Sequence, residues 1–367
     1  MATFPTRPAD VSARWMEQVL RKAGRLEAGR IAALGWQPIG TGQVGDTARF
    51  VLTWQGDGAG EAGPASLAGK FASADATSRH TAATMGLYAK EVFFYRTLAP
   101  LVAARVPQVH ATEIDEAGAE FVLLFEDLGP ARGGNQLLGC DIEDARAAVR
   151  QAAAIHAPTR NHPAVLGAER LHSPPELLAQ IGALYHQAHG VFRERYDGLL
   201  SPELMAICER LDGLVEGWLH RQLPDPGLVH GDFRLDNMLF DIGGGAEPIA
   251  IVDWQTCAAG CAMNDLGYFM GCGIGSDLRR PYEEELLELY AGEMSRRGVP
   301  TSRQGLWNRY CIGALHGVFT AVFSAAFVVR TERGDANFLS MARGACELAA
   351  DHDAIGALTR YLETGAC

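Results

Sequence analysis

Lysine is nearly missing from this chain: Lys22, Lys70 and Lys90 are the only three in 367 residues. With 32 basic against 44 acidic residues, the net charge of −12 argues against a nucleic-acid partner, since phosphate backbones are held by clustered Lys and Arg. The acidity would suit a cationic ligand, although solubility alone accounts for it. No CxxC pair occurs among the eight cysteines. The closest pair, Cys257 and Cys261, has only Cys272 nearby, so a structural zinc site is not expected and reduced, buried thiols are. Met1 to Asp10 carries no apolar core of a secretory signal, and the expected location is cytoplasmic. The chain also lacks internal repeats and low-complexity segments. One run, Cys311 to Val329, holds nineteen residues without a formal charge, enough to span a bilayer. His316, Thr320 and Ser324 fall within it and no bias in its basic flanks marks its orientation, so the expectation is a buried helix and no membrane partner.

What is present is ordinary globular material, 48% hydrophobic and 21% charged, in a chain long enough for two lobes. Val11 to Ala23 reads as an amphipathic helix with Trp15, Val19 and Leu20 on one side. Strands are expected over Ala48–Trp54, Leu67–Ala72, Val106–Ile114 and Phe121–Phe125, with a turn at Gly56-Asp57-Gly58 and a helix over Tyr88–Leu98. After Asp127 the character changes. Gly129 to Gly139 is a loop, and from Asp141 the pattern is helical, interrupted by apolar runs at Leu228–Phe240 and Pro248–Asp253. The expected fold is α+β and bilobal, protein-kinase-like, with a small antiparallel sheet in residues 1–127 and a large, mainly helical part in 128–367. Within the second part, residues 228–268 carry the catalytic loop and metal site, and 141–223 and 276–360 supply helical walls for a substrate.

The chemistry concentrates in His230-Gly-Asp-Phe-Arg-Leu-Asp-Asn237 and Ile249-Ala-Ile-Val-Asp-Trp-Gln255. Phosphoryl transfer to a hydroxyl needs a carboxylate for the hydroxyl proton and oxygen ligands for the ions that neutralise the phosphates. Asp232 fits the base, Asn237 five residues on fits a ligand, and Asp253 ends the apolar strand sixteen residues later. His-Gly-Asp alone could be a turn between strands; the joint pattern of Asp, Asn and Asp with strands between is far more specific.

These residues, with Asp265-Leu-Gly-Tyr268, resemble the aminoglycoside phosphotransferase and choline kinase superfamily, and within it the ecdysteroid-kinase-like branch and its bacterial relatives. The similarity covers roughly Gln37 to Tyr268. It implies an ATP-dependent enzyme using Mg²⁺, with Asp232 as catalytic base, Asn237 and Asp253 as metal ligands, and Asp265 as a buttress of the loop. Kinases hold the phosphates with a strand lysine oriented by a helix glutamate. Lys70 in Leu67-Ala-Gly-Lys70 and Glu91 on the following helix fit those places, and Ala68 is small enough to lie against adenine. Phe125, Glu126 and Leu128 resemble the hinge beside adenine, and Leu239 is assigned to the same nucleotide site. Gly40-Thr-Gly-Gln-Val-Gly45 matches GxGxxG, and the strand pattern after it suits a phosphate-covering β-turn-β with Gly42 near the nucleotide.

Gly231 stands where protein kinases carry Arg, and only eleven residues separate Asp253 from Asp265, too few for an activation loop and a peptide platform. The expected partner is therefore a small, hydroxyl-bearing molecule. A nucleotide-binding module without turnover and an ATP hydrolase are the alternatives. His186 with His189, and the run Glu283, Glu284, Glu285 and Glu288, read as solvent-facing groups, and His316 as a hydrogen-bonded core histidine.

Overall fold

The structure, a computed structural model, describes residues 3–40, 44–55, 63–222, 224–328 and 330–365. Gly42 and the Gly56-Asp57-Gly58 turn lie outside the described residues. The chain starts with helix α1 (Ala13–Lys22), which Ser12 caps by accepting the Trp15 N–H at 3.2 Å. Five strands follow: β1 (Ile31–Pro38), β2 (Gly45–Trp54), β3 (Ser66–Ala72), β4 (Val109–Ile114) and β5 (Phe121–Glu126). They form one antiparallel sheet in the order β1-β2-β3-β5-β4. Between β3 and β4 lie α2 (Ala76–Thr84) and α3 (Leu87–Phe93), the latter continued by a wider turn over Phe94–Leu98. One face of the sheet packs on α1 through Met16, Leu20, Phe50 and Leu124, and the other joins the main core through Phe121, Leu123 and Phe125.

Helices dominate the rest. In order they are α4 (Ile142–Thr159), a single turn α5 (Pro163–Leu166), α6 (Pro175–Arg195), α7 (Pro202–Asp212) and α8 (Val215–His220). A short turn α9 (Ile242–Gly245), α10 (Ala262–Tyr268), α11 (Gly275–Arg296), α12 (Arg303–Gly313), α13 (Leu315–Phe327), α14 (Glu332–Asp351) and α15 (Ala354–Thr364) complete the set. Two small sheets interrupt them. Strand β7 (Gly227–Val229) pairs with β10 (Ala258–Gly260), and β8 (Met238–Asp241) lies between β6 (Arg132–Gly133) and β9 (Glu247–Ile251). This is the expected bilobal α+β architecture: an antiparallel sheet followed by a larger helical part.

Four elements were not expected from sequence, each for a physical reason. Strand β1 sits at the sheet edge and buries only Ile31 fully, so it carries no period-two pattern. Helix α2 buries only Ala82, and β6 and β10, at two and three residues, are too short for periodicity. The uncharged run from Cys311 crosses from the end of α12 into α13, where Leu315, Val318, Ala321, Val322 and Ala325 are buried against α14 and neighbouring helices. Arg303–Phe327 is the one described helical stretch long and apolar enough to cross a membrane, and most of it is inside the protein.

Glycine decides how closely α10 approaches α12. A Cβ at Gly313 would stand 2.1 Å from the Met263 carbonyl oxygen, and one at Gly267 would meet the Gly313 backbone at 2.6 Å. Gly292 in α11 has open space around it. Gly313→Ala should therefore lower unfolding stability by about 1–3 kcal/mol through overpacking, whereas Gly292→Ala should leave it unchanged or raise it by up to about 1 kcal/mol. Urea denaturation of both variants checks this, and equal effects would contradict the close crossing.

Candidate active site

The β8–β9 ribbon explains why residues sixteen apart meet. Met238 pairs with Ile251, and the Val252 N–H donates to the Asn237 carbonyl at 3.0 Å, so Asn237 and Asp253 leave the same end of the ribbon. Asp253 adopts a left-handed backbone with φ 65°. Its carboxylate accepts from Lys70 Nζ at 3.0 Å, while the same ammonium lies 2.9 and 2.7 Å from the two oxygens of Glu91. Lys70 comes from the central strand β3 and Glu91, almost fully buried, from α3. Burial works against a charged Lys70, but Asp253 and Glu91 outweigh it and hold its pKa above the ordinary lysine value.

Asp232 is gripped from three directions. Its Oδ1 accepts the Tyr268 hydroxyl at 2.9 Å, its Oδ2 accepts Asn237 Nδ2 at 2.8 Å, and Arg234 Nε bridges both oxygens at 2.9 and 3.1 Å. Burial pushes this carboxyl up, yet Arg234, His230 and the Tyr268 hydrogen bond together pull its pKa below the usual range. Burial and the adjacent Asp232 push the Tyr268 phenol far above its ordinary value, so it remains a donor. The side chain of Asp232 keeps 25% exposure, enough for an acceptor group to reach it. Because Asn237 spends its Nδ2 on Asp232, its Oδ1 has no donor among the described residues.

The loop itself hangs on Asp265 of α10. This fully buried carboxylate accepts the His230 N–H at 2.6 Å and the Gly231 N–H at 2.9 Å. His156 of α4 lies 3.2 Å from Asp265 through Nε2, and its Nδ1 is 2.9 Å from the Tyr290 hydroxyl of α11, which fits Nε2–H donating and Nδ1 accepting. His230 is locked likewise, Nε2–H to the Val252 carbonyl at 3.0 Å, with the Asp232 N–H donating to Nδ1 at 3.3 Å. Thr256 donates to the His230 carbonyl at 2.9 Å, and His316 Nε2 donates to the Gly231 carbonyl at 3.0 Å. Gly231 has φ 82°, and a Cβ there would sit 2.5 Å from the Thr256 oxygen, so glycine is required twice over. Trp254 stacks on Phe94 at 3.8 Å, tying the Asp253 turn to the segment after α3.

The residues assigned to the nucleotide fall into distinct places. Ala68 pairs with Phe125 across β3 and β5, and Leu128 and Leu239 share a small apolar cluster with Ile242 and Ala250. Glu126 turns its carboxylate to Arg105, with a 2.5 Å contact, and donates its N–H to the Gln108 carbonyl at 2.9 Å. Its carboxylate is therefore already committed to Arg105.

The Tyr268 hydroxyl, His156 and His316 were not singled out as parts of this site from sequence, because their partners lie 36 to 109 residues away; nor was Arg234, although Asp232 is only two residues from it. Two surface assignments are also corrected. Glu283 is buried, accepting from Arg279, Tyr310 and His352, because it is the member of its run that faces α12 and the C-terminal end of α14. His189 is buried beside Asp212, whereas His186 stays half exposed with Nδ1 2.8 Å from the same carboxylate.

Comparison with known proteins places this geometry. The sequence model of a family described as "Phosphotransferase enzyme family" matches residues 44–300. Acyl-CoA dehydrogenase family member 11 of Rattus norvegicus is 30% identical over 132 residues, covering 26% of this chain and 16% of that protein. The chain thus spans less than a fifth of the length of that relative and of its Gallus gallus counterpart. Among solved structures, a Ralstonia eutropha JMP134 protein assigned provisionally to the aminoglycoside phosphotransferases superposes with TM-score 0.52 at 19% identity, over 93% of this chain and 98% of that one. Spectinomycin phosphotransferase, solved with ADP and spectinomycin, gives TM-score 0.52 at 12% identity, over 95% of this chain and 100% of that one. These likenesses establish a shared fold.

The Asp265 anchor makes a prediction. Burial raises the Asp265 carboxyl, but His156, His230 and the loop N–H groups outweigh it and lower the pKa. A carboxyl lowered on folding stabilises above its unfolded pKa of about 3.9, and that stability disappears as pH falls through the native value. Asp265→Asn leaves one loop N–H facing an amide donor and should cost about 1–3 kcal/mol at pH 7. Its stability should also fall less than wild type between pH 5 and pH 3, by up to about 1.4 kcal/mol per pH unit, in urea titrations. Parallel curves for the two proteins would contradict the anchor.

Proposed function

The chain belongs to the phosphotransferase enzyme family, and from that premise we propose that it transfers the γ-phosphate of ATP to a hydroxyl group of a small molecule. The observation that carries this reading is the convergence of five side chains: Lys70 on Glu91 and Asp253, and Asn237 on Asp232. A lysine between two carboxylates is placed to pass from Asp253 to the phosphates when a nucleotide enters. The ADP and spectinomycin held by the phosphotransferase compared above support a nucleotide and a small acceptor as the two ligand classes.

Magnesium fits the donor set. Asp253 offers the oxygen that Lys70 leaves open and Asn237 offers Oδ1, both hard oxygen donors. No group of three or more His, Cys, Asp or Glu capable of holding a metal occurs among the described residues, which suits an ion completed by phosphate oxygens and water. Bound there, the ion would neutralise charge on the phosphates.

The protein's own part is positioning and proton transfer. Tyr268 and Arg234 keep Asp232 ionised at neutral pH and fix its orientation. An acceptor hydroxyl hydrogen-bonded to Asp232 would attack the γ-phosphorus, the bond to the bridging oxygen of ADP would break, and the proton would pass to Asp232. So weakly basic a carboxylate takes the proton only after bonding to phosphorus has made the hydroxyl acidic. The Asp253-Trp254-Gln255 and Asp265-to-Tyr268 motifs support a place in the ecdysteroid-kinase-like branch, and we assign nucleotide binding mainly to residues 1–127.

The test is a screen of alcohols, amino alcohols, sterols, hydroxy acids and aminoglycosides with ATP and Mg²⁺, read by ADP release and product mass. At least one acceptor should gain one phosphoryl group, and Asp232→Asn should lose about two to four orders of magnitude in turnover while still binding ATP. Phosphate release without any phosphorylated acceptor would favour a hydrolase, and Asp232→Asn turnover within a few-fold of wild type would remove Asp232 from the mechanism.

A further inference from the structure

Behind the loop anchor lies a cavity of about 250 Å³ lined by none of the residues that contact the Asp232 carboxylate. Its closed end is made by His156 and Tyr290, both buried, the same pair that backs Asp265. Leu228, Met263, Met294 and Leu306 line its walls. An apolar cavity of roughly 150 Å³ takes up benzene, so this volume admits a branched or aromatic body.

The open end is cationic. Arg160 and Arg309, about a third exposed, both address a single carboxylate, Asp225 Oδ2, at 2.6 and 3.5 Å. Asn161 Nδ2 takes the other oxygen of Asp225 at 3.2 Å. Two guanidiniums on one carboxylate leave one positive charge beside an apolar chamber, and the longer Arg309 contact leaves that group able to take a second anion. Thr301 and Ser302 complete the rim.

We propose that this cavity is a binding site for a small amphipathic monoanion, a carboxylate carrying a short branched or aromatic body. The carboxylate would sit between Arg309 and Arg160, and the apolar body would fill the chamber toward Met263 and Tyr290. Such a ligand would lie against the His156–Tyr290 pair and so against the support of the catalytic loop, without entering the nucleotide or acceptor site.

Calorimetric titration of the full chain with 4-methylpentanoate tests this directly. Saturable one-to-one binding is expected, with Kd between about 10 µM and 1 mM for a ligand of this size. The neutral 4-methylpentan-1-ol, and Arg309→Gln titrated with the carboxylate, should each bind about tenfold more weakly. Leu306→Trp, which fills the chamber, should abolish binding, and Asp232→Asn should leave it unchanged. Thermal melts confirm that each variant is folded, and Arg309→Gln, at a side chain about a third exposed, keeps the test open if Leu306→Trp does not fold. Absence of saturation up to about 10 mM, or wild-type affinity in Arg309→Gln, would overturn the proposal, and loss of binding in Asp232→Asn would move the ligand to the acceptor site.

Discussion

The carboxylate of Asp265 has no solvent exposure, yet it receives two backbone N–H groups of the His230–Gly231 turn and the ring of His156. A buried carboxylate without partners would cost several kcal/mol, so the loop and its anchor stabilise one another or fail together. Each support reaches a different element. Asp265 rides on α10, whose approach to α12 depends on Gly267 and Gly313, while His156 comes from α4 and its partner Tyr290 from α11. On the opposite side, His316 of α13 and Thr256 hold the two loop carbonyls. The position of Asp232 is thus fixed by the packing of the helical part together with the loop's own Gly231, Arg234 and Asn237.

Charge is managed by the same economy of means. With so few lysines in the chain, the one on β3 is held by two carboxylates from different parts of the fold, Glu91 before the helical part and Asp253 within it. Arg234 does the corresponding service for Asp232 and Asp236, at 2.9 and 2.6 Å. Neither cation sits in a surface ion pair that salt would screen away. The stacking of Trp254 on Phe94 then links the Asp253 turn to the element that carries Glu91.

Legibility in the sequence follows chain distance. His230, Asp232, Asn237 and Asp253 lie within one short stretch, and the strand pattern around them exposes the ribbon that joins them, so that part of the site could be read directly. Lys70 could be read because it stands almost alone as a lysine on a strand. Of the supports only Asp265 could be read, through the family resemblance; the others could not. An unremarkable His in an alanine-rich helix signals nothing until the helices pack and bring it to Asp265, and Tyr268, although part of a quoted motif, shows its partner Asp232 only then. Glu283 was hidden for the converse reason: it sits among acidic neighbours that face water, and only helix phase turns it inward toward Arg279 and Tyr310. The overall α+β division was legible from the shift of periodicity after Asp127, whereas the edge strand β1 was not, since it buries almost nothing.

The proposed function rests on Asn237 and Asp253, brought to one end of a ribbon, which we propose act as a single metal-and-nucleotide site. Calorimetric titration of ATP with and without Mg²⁺ on wild type, Asn237→Ala and Asp253→Ala tests it most directly. The account predicts that Mg²⁺ tightens ATP binding to wild type, less so to Asn237→Ala and not at all to Asp253→Ala, with similar metal-free affinities throughout. A full magnesium effect in Asp253→Ala would contradict it.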